Sequence, residues 1–233
     1  LQTLLSLSIM PKQTNYDLII FDWDGTIANS AGIIVESVKE ACISEGVVLP
    51  SDFSISGIIG LGLEEAFTRL FPDMQKSRLI SLQALYRDAY LRRMDQIVLF
   101  DGIDLGIKGL YNQGYALGIA TGKSRRGLNN ALNKSNLYSY FKVTKTMDEC
   151  FSKPHPQMIN EILEALMIEN HRALMIGDSS YDMEMAANAV GMGAGATAAT
   201  STTTADPPSV QNGNPCNKHA FVLVFVYQFW KVR

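Results

Sequence analysis

The sequence predicts an α/β protein: a doubly wound parallel sheet with an inserted helical cap domain. Three observations predict it. From Tyr115 to Ala189, short apolar runs alternate with stretches of helical periodicity, the signature of repeated βα units. The first run, Leu18 to Phe21, is apolar at every position, as expected of a strand buried on both faces. Between about Ser30 and Gln96 no strand pattern occurs, and apolar residues recur at helical spacing instead.

The elements follow in order. Leu18 to Phe21 is the first strand, and it ends in Asp22-Trp23-Asp24-Gly25-Thr26. Positions i and i+2 of an extended chain point to the same side, so Asp22 and Asp24 converge on one site. Burying them costs several kcal/mol unless a cation compensates. Gly25 permits a sharp turn where a side chain would obstruct. Ile34, Val38 and Ala41 then mark a helix stopped by Gly46, and Leu63 to Phe71 a second, closed by Pro72. Ser77 to Met94 is a third, with Leu79, Leu82, Leu85 and Ala89 on one face. Beyond it come a strand at Tyr115 to Ala120, a helix at Ser124 to Asn133, a strand at Phe141 to Thr146 and a helix at Pro156 to Met167. The last unit is a strand at Ala173 to Ile176, ending in Gly177-Asp178, with a helix running through Ala189.

Ligands of such sheets bind outside the carboxyl ends of the strands, so the residues just after each strand matter most. They are distinctive. Thr121-Gly122 offers a hydroxyl and backbone N–H groups at a helix start, suited to an oxyanion. Lys153, between Ser152 and Pro154, is expected to leave an extended, proline-stiffened segment in a fixed direction. Asp178 and Asp182 form a second acidic pair after a strand. Singly, each fits an ordinary role: a turn, a solvated lysine, a helix-start acid. Jointly, two convergent carboxylates, a Thr-Gly, a Lys and a second acid pair point to a hard-metal site with an acid nucleophile or base.

Composition narrows the classes. The 233 residues are 47% hydrophobic and 18% charged, in the range of a soluble globular protein. A net charge of −3 provides no basic excess for nucleic acid. Cys42, Cys150 and Cys216 are isolated and form neither a disulfide framework nor a zinc cluster, which favours a reducing, cytoplasmic setting. Leu1 to Ile9 lack a basic start and a small-residue cleavage site, and Met10 is expected to be the natural start. No membrane partner is expected.

The four strand ends, in order, resemble the motif set of the haloacid dehalogenase-like phosphohydrolases over roughly Tyr16 to Met192. The helical insert is similar to the small cap of the phosphoglycolate phosphatase and β-phosphoglucomutase branch. Gly57 to Glu65 and Thr121 to Leu128 look like the phosphoglycolate phosphatase-like subgroup. The resemblance implies a Mg²⁺-dependent phosphatase acting on a small phosphomonoester. Asp22 would be the nucleophile and Asp24 the acid/base. Asp22, Asp24 (through its carbonyl) and Asp178 would hold the metal. Thr121, Gly122 and Lys153 would surround the phosphoryl group, with Asp182 orienting Lys153 or a metal-bound water. Basic residues in the first turn of a helix oppose its dipole, which suggests that Lys123 or Arg125 meets the substrate. A phosphosugar mutase, a non-catalytic phospho-accepting receiver-like protein and an inactive relative are the alternatives.

The implied organisation is an extension over 1–15, a core over 16–30 and 97–199, a cap over 31–96 and an atypical tail over 200–233. The tail departs from the pattern: Gly193 to Pro208 is mostly Ala, Thr, Gly and Ser, and an apolar run spans Ala220 to Trp230. A frameshift near Gly193 and a divergent native tail both account for the change. Gly195 to Ala199 is expected at most as a weak edge strand, and the apolar run as a strand or an aggregation-prone end.

Overall fold

The computed structural model describes residues 16–191 and the backbone of Val224–Phe225. The chain order is β1 (Leu18–Phe21), β2 (Ala28–Asn29), α1 (Ala31–Glu45), α2 (Asp52–Ser56), α3 (Leu63–Leu70), α4 (Lys76–Arg93) and β3 (Val98–Leu99). It continues with α5 (Ile103–Asn112), β4 (Ala116–Thr121), α6 (Arg125–Lys134), β5 (Val143–Thr146) and α7 (Gln157–Leu166). It closes with β6 (Ala173–Gly177), α8 (Ser180–Ala189) and β7 (Val224–Phe225).

All four residues of β1 are buried, so both faces of this strand are covered. The pleat splits them. Leu18 and Ile20 join Met158, Ile162, Met175 and Met185 on one side of the sheet, under α7 and α8. Ile19 and Phe21 join Leu117, Ile119, Leu128 and Leu132 on the other, under α6. At about 1.5–3 kcal/mol per fully buried aliphatic or aromatic side chain, β1 anchors both halves of the core. It pairs in parallel with β4 (Phe21 with Ile119) and with β6 (Phe21 with Ile176), in a sheet ordered β5-β4-β1-β6-β7. That register sets the ends of β4, β1 and β6 side by side, where Thr121, Asp22 and Asp178 follow.

The segment between β1 and β4 holds α1 to α4, whose apolar faces form a separate cluster around Val38, Ile55, Phe67 and Leu82. Leu82 of α4 is fully buried there and Ala89 is buried as well, while Ile80 and Leu91 remain exposed. Gly46 ends α1 in the left-handed conformation, φ 67°, as a glycine stop requires. Three elements carry no sequence signal strong enough to read: α2, only 5 residues long; α5; and the antiparallel β2–β3 ribbon, 2 residues per strand, which joins the two ends of the insert.

One expectation is modified and another is narrowed. The Lys153 segment turns instead of running extended: the Lys153–Pro154 peptide is cis, and His155 N–H bonds to Ser152 O at 3.0 Å. Within the apolar run from Ala220, Val224–Phe225 form a strand parallel to β6. The extension over 1–15, the Gly195–Ala199 edge strand and the rest of the tail lie outside the described residues. Among the described residues no helix is long and apolar enough to cross a membrane.

Candidate active site

Asp22, immediately after β1, has no exposed surface. Its Oδ1 accepts the Trp23 N–H at 2.6 Å and lies 2.8 Å from Lys153 Nζ. Its Oδ2 is buried with no hydrogen-bond partner among the described residues. Lys153, also fully buried, reaches back to Asp182 Oδ1 at 2.7 Å. Asp182 is itself fixed through Oδ2, which accepts from Ser179 Oγ at 2.6 Å and Ser179 N at 3.2 Å. Gly177 makes this possible, since a Cβ there would lie 2.3 Å from Asp182 Cγ.

Asp178 completes the cluster. One oxygen each of Asp22, Asp178 and Asp182 lie within 4.8 Å of one another. Thr26 Oγ1 donates to Asp178 Oδ1 at 3.1 Å. Gly25 sits at φ +82°, and a Cβ on it would fall 2.1 Å from Asp178 Oδ2, so only glycine clears that carboxylate. Three carboxylates here face one ammonium. Burial raises the Asp22 carboxyl above its ordinary value, Lys153 opposing and the neighbouring acids adding. Burial and the Asp182 charge push Asp178 up to about 6. Lys153 is raised as well: burial disfavours its charge, but Asp182 and Asp22 more than offset this and hold it protonated. Carboxylates this short of counter-charge suit a hard divalent cation, and an all-oxygen donor set with the orphaned Asp22 Oδ2 fits Mg²⁺.

Asp24 lies apart from that cluster with its own cation. Lys123 Nζ is 3.1 and 3.2 Å from its two carboxylate oxygens, and Ser30 Oγ donates to Oδ1 at 2.7 Å. Lys123 also donates to the Tyr90 hydroxyl of α4 at 2.8 Å. Burial works against its charge, and Asp24 together with Tyr90 more than compensates, so the ammonium is held above its ordinary range.

Thr121, 1% exposed, ends β4, and its Oγ1 accepts the Lys123 N–H at 3.3 Å. Gly122 is packed by the insert: a Cβ would lie 2.5 Å from Gly60 O and 2.6 Å from Leu61 O. Further contacts tie the insert to the strand ends. Gly62 N–H donates to Ser152 Oγ at 2.8 Å, beside Lys153, and the Tyr181 hydroxyl of α8 donates to Gly57 O at 2.9 Å.

The structure thus brings Asp22, Asp178, Asp182 and Lys153 into one cluster and sets Asp24 with Lys123 beside it, while Thr121 and Gly122 end the neighbouring strand. It does not bring Arg125. That guanidinium donates to Glu149 at 2.6 and 2.8 Å and to Thr144 Oγ1 and O at 2.6 and 2.7 Å. The expectation that it reaches the substrate is corrected: acidic neighbours, with Asp148 accepting the Arg125 N–H at 2.7 Å, offset its unfavourable place at a helix start. Sequence reasoning missed Ser30, Tyr90, Ser179 and Thr26 as partners of the charged residues. Only Thr26 and Ser179 carried a signal, as hydroxyls adjoining the acidic motifs. Tyr90 comes from helix α4, and no local pattern marks it.

Residues 19–194 match the family described as haloacid dehalogenase-like hydrolase. The chain is 30% identical over 176 residues to a pyrophosphatase, PpaX, of Listeria monocytogenes, covering 73% of this chain and 78% of that one. Among solved structures, a haloacid dehalogenase-like hydrolase from Bacteroides fragilis is similar at TM-score 0.69 and 27% identity, over 75% of this chain and 84% of that one. A protein from Lactobacillus plantarum, assigned as a phosphoglycolate phosphatase, is similar at TM-score 0.66 and 28% identity, over 74% and 82%.

Proposed function

The chain belongs to the haloacid dehalogenase-like hydrolase family, and on that premise we propose that it is a Mg²⁺-dependent phosphatase that cleaves a phosphomonoester through an aspartyl-phosphate on Asp22. The supporting observation is the state of Asp22: one oxygen pinned by Trp23 N–H and Lys153, the other buried without a partner. A buried carboxylate oxygen without a partner among the described residues is suited to meet a ligand, and this supports the reading.

In this reading an Asp22 carboxylate oxygen attacks phosphorus, a new O–P bond forms, and the bond to the leaving oxygen breaks. Asp24 gives its proton to that leaving oxygen. It then takes one from the water that attacks the phosphorus of the aspartyl-phosphate, releasing inorganic phosphate and restoring Asp22. Lys153, the Thr121 hydroxyl and the Gly122 N–H surround the phosphoryl oxygens, and Asp182 aims Lys153. Mg²⁺ would be held by Asp22, the Asp24 carbonyl and Asp178, and supplies charge neutralisation on the phosphoryl group when bound. Residues 31–96 act as the cap over a core of 16–30 and 97–199, and Lys123 meets the polar edge of the leaving group.

The test is phosphate release over phosphomonoesters with and without Mg²⁺, together with Asp22→Asn, whose amide is a poor nucleophile. Turnover of Asp22→Asn within tenfold of the unaltered chain would remove the nucleophile assignment. Likeness to a pyrophosphatase favours a second reading, in which inorganic pyrophosphate is the substrate of the same residues. Including pyrophosphate in the screen separates the two. A phosphosugar mutase would retain its phosphoryl group and release little phosphate.

A further inference from the structure

A cavity of about 1000 Å³ opens between the insert and the core. Trp23, Asp24, Gly122 and Lys123 form part of its lining, so it is continuous with the acid/base and with the Thr-Gly turn. Tyr86 and Tyr90 of α4 line it from the insert, and Ala131 of α6 from the core. On the phosphatase reading, Asp24 must touch the leaving oxygen, which places the leaving group in this space. Phosphoglycolate and pyrophosphate each have about nine heavy atoms. At no more than ~30 Å³ per water-sized group, either would fill roughly a quarter of the cavity.

The walls are mostly apolar, with charged groups at Asp24, Lys123, Lys134 and Asp148 among them. Aromatic and aliphatic side chains make up most of the lining, a poor match for a small dianion, which gains nothing from apolar contact. Two exposed guanidinium groups, Arg87 and Arg126, also border the cavity. Such a site fits a ring that lies against tyrosine and aliphatic walls and carries polar or anionic groups toward the arginines.

We infer that the preferred substrate is a bulky phosphomonoester whose leaving alcohol bears an aromatic ring system, of pyridine, flavin or nucleoside type. The inference rests on the phosphatase reading but adds a size and polarity that the reading leaves open. Lys123, held between Asp24 and Tyr90, forms the polar floor on which the ester oxygen arrives.

The experiment compares kcat/KM, with Mg²⁺, for two small substrates (phosphoglycolate, inorganic pyrophosphate) and three ring-bearing ones (pyridoxal 5′-phosphate, AMP, FMN). At least one ring-bearing ester is expected to exceed both small substrates by tenfold or more. Ala131→Trp, which adds about nine heavy atoms to one wall and so takes up roughly a quarter of the cavity, is expected to cut the ratio of ring-bearing to small-substrate kcat/KM at least tenfold. Asn130→Trp, on an exposed residue of the same wall, should lower the ratio in the same direction and repeats the test where the first variant does not fold. A small substrate preferred over every ring-bearing ester, or an unchanged ratio in the folded variants, overturns the inference and leaves the phosphatase reading standing. No phosphate from any of the five overturns the inference, and the phosphatase reading falls with it only when the wider phosphomonoester screen is also negative.

Discussion

Replacing Gly122 by Ala tests whether the insert must close on the Thr-Gly turn. The added methyl carbon would sit 2.5 Å from Gly60 O and 2.6 Å from Leu61 O, both backbone atoms. That is roughly 1 Å inside van der Waals contact, and a backbone cannot rotate away as a side chain can. Either the loop at Gly60–Leu61 retreats by about that distance, or the Thr121–Gly122 turn does. Overpacking of this kind costs about 1–3 kcal/mol, equivalent to a loss of about 2–12 °C in melting temperature for a chain of this size. The catalytic cost is expected to be larger, because a displacement of about 1 Å at a reacting centre can lower the rate about 100-fold. Phosphate-release kinetics and thermal melting on the same preparation read the two effects separately. A variant that melts as the unaltered chain does and keeps kcat/KM within twofold would show that the close approach of the insert has no part in turnover.

Three further outcomes follow from the same geometry. Mg²⁺ should stabilise the protein by about 2.7 kcal/mol at 100 times its dissociation constant, a rise of about 5–10 °C. Asp178→Asn should abolish most of that rise, and an equal rise in the variant would refute the ligand set. Gly109, inside α5, has nothing within 4 Å of a built Cβ, so Gly109→Ala should stabilise by about 0.5–1 kcal/mol without touching the site; a lower melting temperature would contradict this packing. Arg125→Met should lose about 1 kcal/mol with its Glu149 and Thr144 bonds while leaving KM unchanged; a KM raised fivefold or more would return Arg125 to the substrate.

How far the sequence could be read depended on where each signal resides. Leu18 to Phe21 and Ala173 to Ile176 were legible because a continuous apolar run that ends in acids is characteristic of an inner strand of a parallel sheet. The β2–β3 ribbon was not, because two residues per strand leave no periodicity to detect. Asp22, Asp178 and Lys153 stood out by following strands in sequence order. Tyr90 did not: its approach to Lys123 depends on how α4 settles over the core, a tertiary fact with no local counterpart. Arg125 was misread for a related reason. Its place beside Lys123 suggested a shared ligand, yet successive side chains leave a helix start in different directions, and Glu149 was 24 positions away.

The two carboxylates of Asp22-Trp23-Asp24 show what the fold adds to a motif. An extended strand would aim both at one point, where mutual repulsion would oppose ionisation of the pair. In the folded chain each has its own cationic partner instead. Asp22 is paired with Lys153, which it shares with Asp182, and keeps one oxygen unbonded among the described residues. Asp24 is held by Lys123 after β4 and by Ser30, and faces the large cavity. A nucleophile needs a fixed orientation and a neighbouring cation to accept an anionic phosphoryl group. A proton shuttle instead needs access to the leaving group and to water. On the phosphatase reading proposed above, Asp22 has the fixed orientation and neighbouring cation that a nucleophile needs and Asp24 the access to the cavity that a proton shuttle needs, although only Trp23 stands between them.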